Sequence, residues 1–429
     1  MNAPGLCENW AMPNKNPKKS RPPAVALNDS YWEQIMRWLN KAHPATGGWA
    51  VLFQELQALI ASLLNENNIA PRIRYFEKAV VELLGRFAVI AGTTQEIDFQ
   101  LRAGRAYENF GAWEQALAAY QRAVELSTSH RFMPQKIEAL RWIGNIQSNQ
   151  NKWQLAEQAY QESLQLSVQN DDATGQAQAE NSLGILYFEQ GEFEQAAAHW
   201  TTALELAEKM QAKNLMAVVY NDFGALANVQ GQWEKALAYY GASLPQFEIT
   251  GDAASMASTY HNMAMSYADK GNWMKASINY EKSYRLARQL GNVHLQALVK
   301  LNRVELYLAL GDAALAEELC RQALQTYRQL QDHLGEADAC KFLGIIAAKK
   351  RAWTKAKAHF EQSLALAREF NYPLGEAEAR WEYGRMLKQK GAATLARAQL
   401  KQALALFRKV NASVEIEKVQ NEITALKLA

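Results

Sequence analysis

Alanine stands at Ala116, Ala156, Ala196, Ala236, Ala276, Ala316, Ala356 and Ala396, every fortieth residue and eight times without exception. Other features keep the same step. Five residues earlier the chain shows Gly111, Asn151, Gly191, Gly231, Gly271, Gly311, Arg351 and Gly391. Two residues beyond those stand Trp113, Trp153, Phe193, Trp233, Trp273, Ala313, Trp353 and Ala393. A period of this length makes the chain an array of one supersecondary unit, so the repeat outranks length as a guide to domain number.

Within a unit such as NSLGILYFEQGEFEQAAAHW, from Asn181 to Trp200, apolar residues step by three and four on both sides of the glycine, which predicts two antiparallel helices joined by a short turn. Gly191 supplies the left-handed conformation that ends the first helix. Gly184 and Ala196 are small where the two helices are expected to approach most closely, and Tyr187, Phe193 and Trp200 fill the space around them. One hairpin cannot cover its own apolar faces. Neighbours must stack, and the predicted fold class is all-α, an α-solenoid with a core continuous along its length.

Flanking segments read differently. Residues 1 to 28 hold five of the ten prolines and a basic group, Lys15, Lys18, Lys19 and Arg21, a composition expected to be disordered. Three amphipathic helices are expected over 29 to 92: one from Asp29, one through Trp49, Leu52, Phe53, Leu56 and Ile60, and one over 72 to 91 ending near Gly92. They form either an N-terminal cap or a small effector module. A closing helix over 412 to 429, with Val414, Ile416, Val419, Ile423 and Leu426 on one side, is expected to cover the last unit. Residues 57 to 96 could be read as a degenerate extra unit, but Phe76 at the small position opposes this.

The order Leu183-Gly184, Tyr187, Gly191, Phe193, Ala196, Trp200 and Ala203 resembles the tetratricopeptide repeat. The resemblance covers 97 to 416, and it implies a right-handed superhelix. The period of forty exceeds the commoner 34. The six extra helical residues add roughly 9 Å of helix to each unit. Segments such as LARQLGNVHLQ, 286 to 296, are similar to the long repeats of Pins/LGN-type scaffolds and bacterial regulatory arrays. Departures fall at Ala264 and Val304 in place of the first-helix glycine, and at Cys320 and Leu400 in place of the large ring. Looser packing is expected in the sixth and eighth units on that account.

No phosphate-cradling glycine loop, HExxH or GxSxG elbow occurs, and the seven histidines do not pair at metal-ligand spacing. His199 and His359 share a repeat position and read as helix surface. The expectation is a non-enzymatic protein with no cofactor and no bound metal. Cys7, Cys320 and Cys340 form no CxxC, no signal peptide or apolar run of spanning length occurs, and a reducing cytoplasm is expected.

The resemblance places recognition on the concave face lined by the first helix of each pair. Carried over residue by residue, that face holds Asn181, Ile185, Phe188 and Glu189; Asn221, Ala225, Asn228 and Val229; His261, Asn262, Met265 and Asp269; and Asn302 with Glu305. A row of asparagines can bracket the peptide groups of an extended ligand, as in kinesin light chain and related binders. The alternative is that these are ordinary polar residues of exposed helices. The family's carboxylate clamp, which needs Lys and Asn, is replaced by Leu101 and Arg105, so a heat-shock co-chaperone role is not expected.

The net charge of +2 is small, but 341 to 409 hold fifteen Lys plus Arg against five Glu, including Lys349, Lys350, Arg351, Lys355 and Lys357 around one turn. Three readings are open. The first is a scaffold binding a peptide or helix in its groove. The second is a signalling, transcriptional or assembly regulator with 29 to 92 as effector. The third is an adaptor whose basic repeats meet nucleic acid or an anionic membrane surface, against the plainer view of a solvated, balanced face.

Overall fold

The chain reverses direction every twenty residues. Left-handed backbone occurs at Gly111, Arg131, Asp171, Gly191, Gln211, Gly231, Gly251, Gly271, Gly291, Gly311, Gln331, Arg351, Asn371 and Gly391. At each of these but Gly311 the same pair of hydrogen bonds closes the preceding helix: in the Gly191 turn, Gly191 N–H donates to Phe188 O at 3.0 Å and Glu192 N–H to Tyr187 O at 2.8 Å. The bonds satisfy carbonyls that a helix end otherwise leaves unpaired. Five of the six non-glycine members lie where one hairpin passes to the next, and the sixth, Arg351, lies at the turn within a hairpin. The backbone unit is therefore half the sequence unit.

The computed structural model describes residues 28–43, 48–64, 69–87, 94–150, 152–410 and 412–428. The basic, proline-rich tail, Gly92 and Asn151 lie outside the described residues, and so do the expectations placed on them. Among the described residues there are twenty helices and no strands. Three precede the array: α1 (Asp29–Leu39), α2 (Gly48–Leu63) and α3 (Ile69–Arg86). The third starts earlier than expected because Pro71 fits the first turn of a helix, where its missing N–H has no partner to lose.

Eight hairpins come next: α4 (Thr94–Asn109) with α5 (Trp113–His130), α6 (Met133–Asn149) with α7 (Trp153–Gln169), α8 (Ala173–Glu189) with α9 (Phe193–Lys209), and α10 (Lys213–Val229) with α11 (Trp233–Thr250). Then come α12 (Ala253–Asp269) with α13 (Trp273–Gln289), α14 (Val293–Ala309) with α15 (Ala313–Leu330), α16 (His333–Lys349) with α17 (Trp353–Glu369), and α18 (Pro373–Gln389) with α19 (Ala393–Lys409). A last helix, α20 (Ser413–Leu428), packs on α19. Val419, Ile423 and Leu426 are buried there, as a cover for the final hairpin requires.

All eight repeat alanines are wholly buried. The repeat glycine answers to a ring on the partner helix: a Cβ on Gly184 would lie 2.4 Å from Trp200 Nε1, and the same conflict pairs Gly104 with Tyr120, Gly144 with Tyr160, Gly224 with Tyr240 and Gly344 with Phe360. The sixth hairpin inverts the pair. Val304 takes the glycine position and Cys320 the ring position, and both are wholly buried. In the sixth and eighth units, where looser packing is expected, these positions are still closed to solvent. Valine occupies volume that a ring gives up, and in the eighth unit Leu400 is wholly buried against Gly384.

First helices of successive hairpins touch directly, from α4 against α6 to α16 against α18, which places them on the inner, tighter side of a curved stack. The curvature brings distant hairpins together. A Cβ on Gly111 would lie 2.1 Å from Leu330 Cδ2, and one on Gly191 would lie 3.3 Å from Val410 O. Each pair is separated by about five and a half repeats, so successive turns of the superhelix are in contact. Ile69 of α3 joins this seam, buried with Val293 and Leu330.

Candidate ligand groove on the inner face

A hollow of about 420 Å³ opens between α14, α16 and α18, and it identifies the register positions that look inward. It is lined by Glu305 and Ile345, Leu308 and Ala348, Ala309 and Lys349, Phe342 and Glu382, with Arg385 and Met386. Shifted by whole repeats, these are the positions of Ile185, Phe188, Glu189, Asp222, Ala225, Asn228, Asn262, Met265, Asp269 and Asn302.

Most of the predicted asparagines are engaged between repeats. Asn221 Oδ1 accepts from Thr259 Oγ1 at 3.1 Å. Asn228 Nδ2 donates to Asp269 Oδ2 at 3.1 Å and its Oδ1 accepts from Ser266. Asn302 Nδ2 donates to His261 Nε2 at 3.2 Å, and Ser148 Oγ donates to Glu189 Oε2 at 2.7 Å. These bonds run along the inner face from one hairpin to the next and hold its curvature. Phe188 leans on Phe193 and Trp200, with ring centroids 5.6 and 5.7 Å away, while Ile185 and Met265 are partly buried and Asn262 is half-buried.

Asn181 differs from the others. It is only 6% exposed, its amide reaches Asp222, and its Oδ1 has no partner among the described residues. Asp222 Oδ2 is unpartnered as well. Burial pushes the Asp222 carboxyl up to about 7, against the pull of Asn181 and Asn221. Sequence reading passed over Asp222, although it shares its register position with Phe342 and Glu382. His261, buried, is held down to about 4 by burial and by His294, and is neutral near pH 7.

Glu189, Asp269 and Glu305 remain open to solvent at their own surface, but helices crowd them on the other sides, and that loss of bulk water pushes all three carboxyls up. Glu305 also feels Asp269, Glu378 and Glu382, with Lys341 opposing. None of Glu189, Asp222, Asp269 and Glu305 is ion-paired with Lys or Arg among the described residues. Lys341, nearby, is already held by Asp338 at 3.1 Å and by Glu378.

The basic run takes a different form from a single patch. Lys350 pairs with Glu317 at 2.6 Å, and Lys350 with Arg321 holds that carboxyl at about 2. Lys357 lies 3.6 Å from Glu361, and Lys349 donates to Leu308 O at 3.3 Å beside the hollow. Arg351 forms the left-handed turn, and it and Lys355 are exposed. Cys320 and Cys340 are free thiols, the first donating to Ala339 O at 3.2 Å and the second pushed up to about 12 by burial.

A tetratricopeptide repeat model matches residues 135–209, 215–289, 255–329 and 295–369, together more than half of the chain. The chain belongs to the tetratricopeptide repeat family. No curated protein matches it in sequence. Among solved structures, this repeat protein is similar to the Rap conjugation gene regulator of the plasmid pLS20 in complex with the Phr* peptide, at 13% identity and a TM-score of 0.55, over 75% of this chain and 96% of that one. It is also similar to a Rap protein complexed with competence and sporulation factor, at 15% identity and a TM-score of 0.50, over 78% and 98% of the two chains. At these identities the likeness is one of fold, and it extends along most of the repeat array.

Proposed function

We propose that this tetratricopeptide repeat protein is a non-enzymatic scaffold whose inner face captures a peptide or a helix from a protein partner. The observation that supports it is the inner face itself: a hollow of about 420 Å³ in which Leu308, Phe342, Ile345 and Met386 stand beside Glu305, Glu382, Lys349 and Arg385, at register positions shared with Ile185, Phe188 and Met265. The inter-repeat hydrogen bonds fix the curvature in advance, so that little ordering entropy remains to be lost on binding. One of the two solved Rap structures is a complex with a peptide, which agrees with such a use of the fold.

A site-specific photo-crosslinker tests the reading. Placed at Ile185 or Met265 on the inner face, it is expected to trap a partner from the source cells. At the exposed outer positions Val168 and Ile278 it is expected to trap none. Crosslinks confined to the outer positions would remove the groove as the binding surface.

A further inference from the structure

We infer that α20 is a pH-sensitive latch: its first turn joins the end of the array to hairpins of the preceding superhelical turn, and acid tightens this closure while ionised carboxylates gathered there from α12, α14, α18 and α20 loosen it. The two sides of α20 differ in kind. Toward α19 it buries Val419, Ile423 and Leu426, and Arg397 donates to Leu426 O at 2.6 Å, so the helix and the last hairpin move as one unit. Toward the preceding turn the seam is thin. Val414 Cγ2 stands 3.3 Å from the place a Cβ on Gly231 would take, and Val410 O stands 3.3 Å from the place of one on Gly191. Apolar contact of so small an extent contributes little, which leaves the charges beside it to decide whether the seam is shut.

Those charges come from separate layers of the superhelix. Glu415 of α20 feels Glu378 of α18 and Asp269 of α12, with Lys418 of its own helix opposing. Asp269 also feels Lys418, and Asn228 of α10 donates to it at 3.1 Å. Glu305 of α14 feels Asp269, Glu378 and Glu382, with Lys341 of α16 opposing. Other cations near the seam already hold partners: Lys341 has Asp338 and Glu378, Arg385 has Glu382 at 2.8 Å and Glu422 at 3.4 Å, and Lys270 has Glu234 at 2.6 Å. Burial pushes the carboxyls of Glu415, Asp269 and Glu305 up by more than these cations pull them down. Values raised in the closed form make the closure strongest where the groups are protonated, and it weakens as pH rises through them. His261 of α12, held down to about 4, stays neutral from pH 5 upward and adds nothing to this response.

The distance between spin labels at Gln232→Cys, beside the Gly231 turn, and Gln420→Cys, on the exposed side of α20, reads the seam in the full chain carrying Cys7→Ser, where Cys320 and Cys340 are buried. The expected result is one short distance at pH 5 and, at pH 8, at least a twofold rise in the fraction of a longer one. Glu415→Gln combined with Asp269→Asn is expected to keep the short distance at both pH values. Glu417→Gln, at an exposed position of the same helix, is expected to respond as the parent does. Coincident distributions at pH 5 and pH 8, opening in acid, or a response that survives Glu415→Gln with Asp269→Asn would each overturn the latch.

Discussion

Gly184 and Trp200 illustrate how one contact is written twice in the sequence, as a small residue on the first helix and a large one on the second. Val304 and Cys320 exchange the sizes and keep the sum, which makes the pair a test of the packing argument. Cys320→Tyr alone overfills the site and is expected to cost about 2 kcal/mol or more. Val304→Gly alone opens a cavity and loses helix propensity, costing roughly 2–4 kcal/mol. Together they restore the arrangement of the neighbouring hairpins, so the double variant should lie well above the sum of the two losses in thermal midpoint. Strict additivity would show that the two side chains do not share one volume.

Asp222 carries a pH signature of opposite sign to the usual carboxylate. Its folded value of about 7 lies above the ordinary 3.8, so its contribution is intact below pH 4 and is lost as pH rises through 7. The full shift corresponds to about 4 kcal/mol. Partial access to solvent reduces it to roughly 2. Asp222→Asn is therefore expected to raise the melting temperature at pH 8 and to leave it unchanged at pH 4. A gain equal at both values would place the cause elsewhere.

Helices and their pairing were legible because each carries its own signals. The eight alanines mark second helices, the alternation of three- and four-residue steps marks both, and Asp172, Asp252 and Asp332 cap first helices by accepting from Gly175, Ser255 and Gly335 N–H at 2.9, 3.1 and 2.9 Å. The turns between hairpins were not legible, since Arg131, Asp171, Gln211, Gln331 and Asn371 adopt left-handed backbone without being glycine. Such residues normally avoid that region at a cost of roughly 1–2 kcal/mol each. The closing hydrogen bonds and the stacking of the next hairpin overrule the local preference, and no local pattern records this.

At the level of the entire superhelix, the seam between successive turns decides how open the groove is. Ile69 belongs to that seam, at the very start of α3, where substitution does little to the helix itself. Ile69→Asp puts an unpaired charge against Val293 and Leu330. The expected outcome is a larger radius of gyration by X-ray scattering and faster proteolysis between residues 64 and 94, with helical content retained. Unchanged scattering would mean that curvature within the array suffices to hold the turns together.

Period, helix register and inward positions could be read from the sequence because a repeat protein is nearly one-dimensional: each hairpin answers mainly to its neighbours, and those neighbours carry the same pattern. Of the expected groove residues, Ile185, Phe188, Met265 and Glu305 hold register positions that line the hollow, whereas Asn181, Asn221 and His261 fall one residue outside them. Which of the groove's polar atoms stay unused was not legible. Asn228 is consumed by Asp269 and Ser266, whereas Asn181 keeps a bare acceptor, although both are asparagines on inner helices. The seam was equally hidden. It depends on how much each hairpin rotates against the last, a small angle summed over several repeats.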